Sequence, residues 1–226
     1  MHGAWHGAWC FDLLVAELEA RGHQATAVDL PSDDRGAGAA RYAEIVDAAL
    51  PRDPALVLVG HSLGGLTIPL VGARRPVARL VFLCALIPEP RRSLVDQLQD
   101  DQTMFVPAFV SDPGWHRDDD GSSWWEPDAA AVVFYNDCPN HLARRAAELL
   151  RKQAPTPSRE PCPLQGLPTV ETSYVLCRED RAIAPAWSRV AAPARLGVEA
   201  IELDGGHSPF LSRPAELADL LVSLAP

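Results

Sequence analysis

Ala55-Leu56-Val57-Leu58-Val59-Gly60-His61-Ser62-Leu63-Gly64-Gly65 decides how this 226-residue chain is read. A short apolar run meets a Gly-X-Ser-X-Gly centred on Ser62, the arrangement known as a nucleophile elbow. A buried strand ends there, the backbone reverses sharply into a helix, and the serine at the apex sits in a strained conformation with its Oγ exposed. Positions 60 and 64 need glycine because a Cβ at either would meet the neighbouring strand or helix in so tight a turn. Both flanks agree with this reading: residues 56–59 are apolar, and residues 65 to about 73 carry a helical pattern.

Helix and strand patterns alternate outward from the elbow, which implies a mostly parallel sheet flanked by helices. Residues 11–21 have apolar side chains at helical spacing and stop at Gly22. A strand is expected at 24–30, a helix at 39–50, the elbow strand at 55–59 and a further strand at 77–85. The pattern then breaks. From 88 to about 168 the sequence is rich in proline and aromatics, with two helix-like pieces at 128–134 and 141–153. Met104, Phe105, Phe109, Trp115, Trp124, Trp125 and Phe134 need something to cover, so this segment is expected to form a small, mostly helical cap. Alternation resumes with strand 172–177, helix 186–192, strand 199–203 and an amphipathic helix at 214–224. The expected organisation is one domain over 1–226, with core 1–87 and 169–226 and a cap at about 88–168.

Thirty acidic against twenty basic residues give a net charge of −10, which repels nucleic acid and anionic membranes. The longest apolar stretch, 80–88, is far too short to cross a bilayer. A cytoplasmic protein acting on neutral small molecules, as a monomer or homodimer, is expected. The five cysteines are odd in number and include no Cys-x-x-Cys pair, which argues against a disulfide framework or a zinc site. Cys84 and Cys177 lie in strand-like runs and read as small buried apolar residues. No glycine-rich phosphate loop follows a first strand, so no cofactor is expected. The run Asp118-Asp119-Asp120-Gly121 lacks the alternate spacing of a calcium loop, so no metal is expected either.

A serine hydroxyl needs a base beside it and a third group that fixes the base's tautomer. Residues 178–185, Arg-Glu-Asp-Arg-Ala-Ile-Ala-Pro, follow one late strand, and Asp204-Gly205-Gly206-His207-Ser208-Pro209 follow the next. Asp180 and His207 are the expected acid and base, with Glu179 and Glu89 the other acids within reach of such a site. His61 is expected to pack beside the site. A stabilising hole for the developing oxyanion is also required. One donor would be the Leu63 N–H, after the nucleophile; the other is expected from a His-Gly loop, where Gly3 turns the chain and Ala4 presents its N–H. His-Gly-Ala-Trp occurs twice in succession, at 2–5 and 6–9. Gly3, Trp5, Phe105, Trp124 and Trp125 are the expected pocket residues.

These four motifs, in this order, resemble the α/β-hydrolase branch that contains plant methylesterases, salicylate-binding esterases, hydroxynitrile lyases and their bacterial relatives. The resemblance spans nearly the whole chain. It implies an α/β-hydrolase fold with Ser62 as nucleophile, Asp180 as acid, His207 as base, and Ala4 and Leu63 as oxyanion donors. The lyases resembled carry threonine where this chain has Gly3, and lysine where it has Ser208, which favours ester hydrolysis over carbon–carbon cleavage. A hydrolase-like receptor with slow turnover is a further alternative. In that branch a central strand precedes His-Gly-Ala-Trp, where this chain has only Met1. The first central strand is therefore expected to be truncated, and the native protein to exceed this sequence in mass by several residues.

Overall fold

The computed structural model describes residues 1–226. After a 3-10 turn at Ala8–Phe11 come α1 (Asp12–Ala20), α2 (Ala39–Ala49), β1 (Val57–His61), α3 (Ile68–Gly72) and β2 (Arg79–Leu83). The next stretch carries α4 (Leu94–Asp100), α5 (Pro107–Val110), β3 (Trp115–Arg117), β4 (Ser123–Trp125), α6 (Pro127–Phe134), α7 (Asn140–Glu148) and α8 (Thr156–Arg159). The chain ends with β5 (Glu171–Cys177), α9 (Pro185–Ala191), β6 (Ala200–Leu203), α10 (Pro209–Ser212) and α11 (Pro214–Ser223).

Four strands form one parallel sheet in the order β1-β2-β5-β6. Its two faces are both buried, which is why β2 reads as an unbroken apolar run. Leu80 and Phe82 join Leu58, Ile68, Tyr174, Leu176 and Trp187 on one face. Val81 and Leu83 join Val175, Leu203, Phe11, Leu14, Phe210 and Leu217 on the other. Cys84 and Cys177 are fully buried within that second cluster, as expected for small apolar side chains.

The elbow forms as a 3-10 turn over Ser62–Leu66, tighter than the continuous helix expected, and passes into α3 at Ile68. A Cβ at Gly60 would stand 2.8 Å from the Gly64 carbonyl oxygen and 2.9 Å from Ile68 Cγ2; one at Gly64 would stand 3.0 Å from the His2 carbonyl oxygen. The two glycines thus let the turn fold back on its own strand and let the N-terminal segment pass over it.

Two expectations need correction. Residues 24–30 form no strand, and an apolar groove of about 480 Å³ lies between them and β1. The outer edge of β1 is met only by Met1, whose amino group donates to the Val59 oxygen at 2.7 Å and whose oxygen accepts from His61 N–H at 3.0 Å. The helix expected over 141–153 stops at Glu148, since Arg151 N–H is drawn to the Trp5 oxygen and Gln153 pairs with Ser123 through two 2.9 Å backbone bonds. The cap is mostly helical, as expected, with β3 and β4 adding an antiparallel hairpin across the Asp118–Gly121 turn.

The Gly60→Ala variant is expected to be less stable by about 1–3 kcal/mol, the usual cost of forcing extra volume into a close-packed turn. Urea unfolding checks this: the midpoint should fall at unchanged slope, and an unmoved midpoint would contradict the steric account.

Candidate active site

Parallel strands present their carboxyl ends on one side, where loops can gather side chains distant in sequence. Ser62 follows β1, residues 178–180 follow β5, and residues 204–207 follow β6. The register that pairs His61 with Leu83, Leu83 with Val175, and Cys177 with Leu203 brings these loops to one rim.

Ser62 has φ 52°, the left-handed region that a serine adopts only under constraint. Its carbonyl accepts the Leu86 N–H at 3.1 Å, which ties the apex to the loop after β2. His207 Nδ1–H donates to Asp180 Oδ2 at 2.9 Å, and both side chains are nearly sealed from solvent. Asp180 Oδ1 accepts the amides of Ala182 at 2.8 Å and Ile183 at 3.1 Å, so the carboxylate cannot swing away from the ring. With Nδ1 carrying the proton, the neutral ring keeps its lone pair on Nε2, the nitrogen a base requires. Neither Nε2 nor Ser62 Oγ is hydrogen-bonded within the chain. Glu179 is exposed, and Glu89 pairs with Arg92 at 2.8 Å and Arg195 at 2.7 Å, so neither competes with Asp180 for the ring.

His61 is packed as expected, and more: its Nε2–H donates to the His207 carbonyl at 2.9 Å, with the two rings 4.5 Å apart. Burial pushes its pKa well below the ordinary histidine value.

The loop at 3–6 lies directly against Ser62. A Cβ on Gly3 would stand 2.7 Å from Ser62 Cβ and 3.0 Å from His61 Nδ1. Its four carbonyls are all held: Gly3 by His2 Nδ1 at 2.9 Å, Ala4 by His6 Nδ1 at 2.8 Å, Trp5 by Arg151 N at 2.8 Å, and His6 by Arg151 Nε at 2.9 Å. The amides of residues 3–6 donate no hydrogen bond within the chain. Buried backbone amides are rarely left unpaired, so a row of them beside a strained serine marks a place where an anion can form. Leu63, second in the 3-10 turn, contributes one of the orphan N–H groups that every helix start leaves. Arg151 also grips Asp29 at 2.8 Å and the Leu30 oxygen at 2.8 Å; nothing in the sequence singled it out.

Aromatic side chains roof this rim. Trp125 meets Trp5, Phe109 and Phe134 at centroid distances of 5.9, 5.4 and 5.1 Å, and Phe134 lies 5.8 Å from His207. Phe105 stacks on Phe109 at 5.1 Å. Trp124 does not join them. Adjacent strand residues face opposite ways, and Trp124 stacks on His116 at 4.3 Å while its indole N–H donates to Asp118. Phe109 and Phe134 take the place expected for it.

Residues 1–220 match the family described as the alpha/beta hydrolase family. The chain belongs to that family. It is 32% identical over 252 residues to "Probable esterase PIR7A" of Oryza sativa subsp. indica, covering all of this chain and 95% of that protein. It is 29% identical to "Alpha-hydroxynitrile lyase" of Arabidopsis thaliana, over all of this chain and 95% of that one. The solved structure of polyneuridine aldehyde esterase superposes with a TM-score of 0.82 at 23% identity, covering 99% of this chain and 96% of that one, a likeness of fold. In this hydrolase no helix is long and apolar enough to cross a membrane.

Three histidines of this hydrolase are buried as neutral rings: burial lowers the pKa of His2 to about 4 and of His6 to about 3, and that of His61 well below 6.5. Their folded pKa values lie below the unfolded one, so the stability they support is intact above pH ~6.5 and is lost progressively as pH falls toward the folded values. Each steepens the loss by up to about 1.4 kcal/mol per pH unit. Urea midpoints measured from pH 7 to pH 4.5 should fall steadily, and a flat profile would contradict the burial of these rings.

Proposed function

We propose that this hydrolase is a serine carboxylesterase acting on small, neutral, apolar or aromatic esters. The observation that carries the reading is the Asp180–His207 hydrogen bond on the same rim as a strained Ser62 and the unpaired amides of residues 3–6. His207 Nε2 takes the Ser62 proton as Oγ attacks the ester carbonyl, and Asp180 stabilises the imidazolium that results. Charge then develops on the carbonyl oxygen, where the N–H groups of Ala4 and Leu63 receive it. His207 returns the proton to the departing alcohol, leaving an acyl group on Ser62. Water activated by the same ring releases the acid and restores the serine.

The cluster of Trp5, Phe105, Phe109, Trp125 and Phe134 supports an apolar or aromatic acyl or alcohol group, since the side chains packed toward His207 are aromatic and carry no charge. The lyase reading is weaker on two grounds. Cyanide departure calls for a cation near the base, and the residue after His207 is Ser208, uncharged and fully buried. A side chain at position 3 would collide with Ser62 Cβ, so the threonine of the lyases resembled has no room here.

Ser62→Ala should reduce hydrolysis of p-nitrophenyl acetate by about 10⁴- to 10⁶-fold, and Asp180→Asn by about 10⁴-fold through the wrong histidine tautomer. Near-normal turnover by Ser62→Ala would sink the mechanism. Mandelonitrile cleavage by the unmodified protein faster than its ester hydrolysis would restore the lyase reading, and ligand binding without turnover would favour a receptor.

A further inference from the structure

The repeated His-Gly-Ala-Trp places one imidazole on each of two successive peptide planes. His2 and His6 are both about 1–2% exposed, and the Nδ1 of each meets a backbone carbonyl of the loop. The His2 Nδ1 contact is to the Gly3 oxygen and the His6 Nδ1 contact to the Ala4 oxygen. A carbonyl only accepts, so Nδ1 is protonated in both rings and each Nε2 offers a lone pair. Both lone pairs are used: the Leu30 N–H donates to His2 Nε2 at 3.0 Å, and the Tyr135 O–H donates to His6 Nε2 at 2.8 Å. Each ring is a two-ended strut in one fixed tautomer.

The Gly3 carbonyl and the Ala4 N–H belong to the same planar peptide and point in opposite directions. Holding the carbonyl therefore aims the amide, and a hydrogen bond to that oxygen polarises the N–H on the far side. Trp5, at φ 63°, shows how unfavourable the loop conformation is without support. His6 holds the next peptide and transmits its position to Tyr135, the residue after α6, in the cap.

We infer that His2 and His6 are positioning residues for the oxyanion site: His2 aims the Ala4 amide through the Gly3 carbonyl, and His6, braced by Tyr135, fixes the peptide that follows. This rests on the esterase reading above. It assigns the duplicated motif a purpose beyond packing its two indoles, and it makes the cap a structural partner of the catalytic loop.

Steady-state hydrolysis of p-nitrophenyl acetate and inhibition by a phenyl trifluoromethyl ketone, whose serine adduct is an oxyanion, test this in the full chain. His2→Leu and His6→Leu should lower kcat by about 10- to 100-fold with KM within about 2-fold, because misaligned donors are felt where charge develops. Asn places an amide N–H where Nδ1 stood, so His2→Asn and His6→Asn should recover at least about a third of that loss on a logarithmic scale. Tyr135→Phe should lower kcat by about 3- to 10-fold, and ketone affinity should fall in step with kcat in every variant. Leucine variants that fail to fold leave the decision to the Asn and Phe variants. Folded variants with unchanged kcat and ketone affinity, losses confined to KM, or Asn variants no better than Leu at equal stability would overturn the inference. Ser62→Ala, run alongside, separates the two failures: if it is inactive while the histidine variants are normal, only the positioning role falls. If it remains active, the esterase mechanism falls with it.

Discussion

The close approach of Gly3 to Ser62 is the constraint on which the rest of the site depends. With 2.7 Å between Ser62 Cβ and where a Gly3 Cβ would be, the loop at 3–6 and the elbow can only be built together. Gly64 extends the same contact on the other side of the apex, where the His2 carbonyl passes over it. Two segments distant in the chain are thus held in close contact, with no side chain on Gly3 or Gly64 to keep them apart. The strain of φ 52° at Ser62 and φ 63° at Trp5 is tolerated because the surroundings over-determine both positions.

That over-determination comes largely from polar groups taken out of water. Every carbonyl from Gly3 to His6 has a donor, supplied by two histidines and by both the main chain and guanidinium of Arg151. Satisfied networks of this sort rigidify what they touch, because each member left alone would bear the full cost of desolvation. The consequence is an asymmetric loop: its oxygens are all held, and its amides have no partner within the chain. On the proposed reading such a surface stabilises negative charge through amide dipoles, beside a roof that is aromatic.

The elements of the candidate site were legible in the sequence because each depends on local chemistry. Gly60, Ser62 and Gly64 declare a turn that only glycine allows, and Asp180 and His207 follow strands that read as buried apolar runs. The cap was legible only in outline. Its aromatics announced that something must be covered, but whether Trp124 or Trp125 turns inward depends on the register of a three-residue hairpin, and short strands of that kind have no periodicity to read. Residues 24–30 show the opposite failure: the alternation is strand-like, yet a strand is a relation between two segments, and the groove beside β1 leaves this one without a partner. Arg151 was invisible for a third reason, since its worth lies in carbonyls contributed by residues 6 and 30, far away in the chain.

The same geometry explains how one framework separates hydrolysis from carbon–carbon cleavage. Both chemistries can use a serine, a histidine and an acid, so the triad alone does not discriminate. What differs is what stands at the edges of the site. At position 3 the absence of a Cβ lets the loop sit against Ser62, where in the proposed mechanism its amide meets a tetrahedral ester intermediate; a branched side chain there would collide with Ser62 Cβ and force the two apart. At position 208 a buried serine leaves the region next to the base without charge, which a neutral alcohol leaving group accepts and a cyanide ion does not. On the proposed reading, specificity between reactions is set by sterics at a glycine and by a missing charge, both outside the three residues assigned to the chemistry.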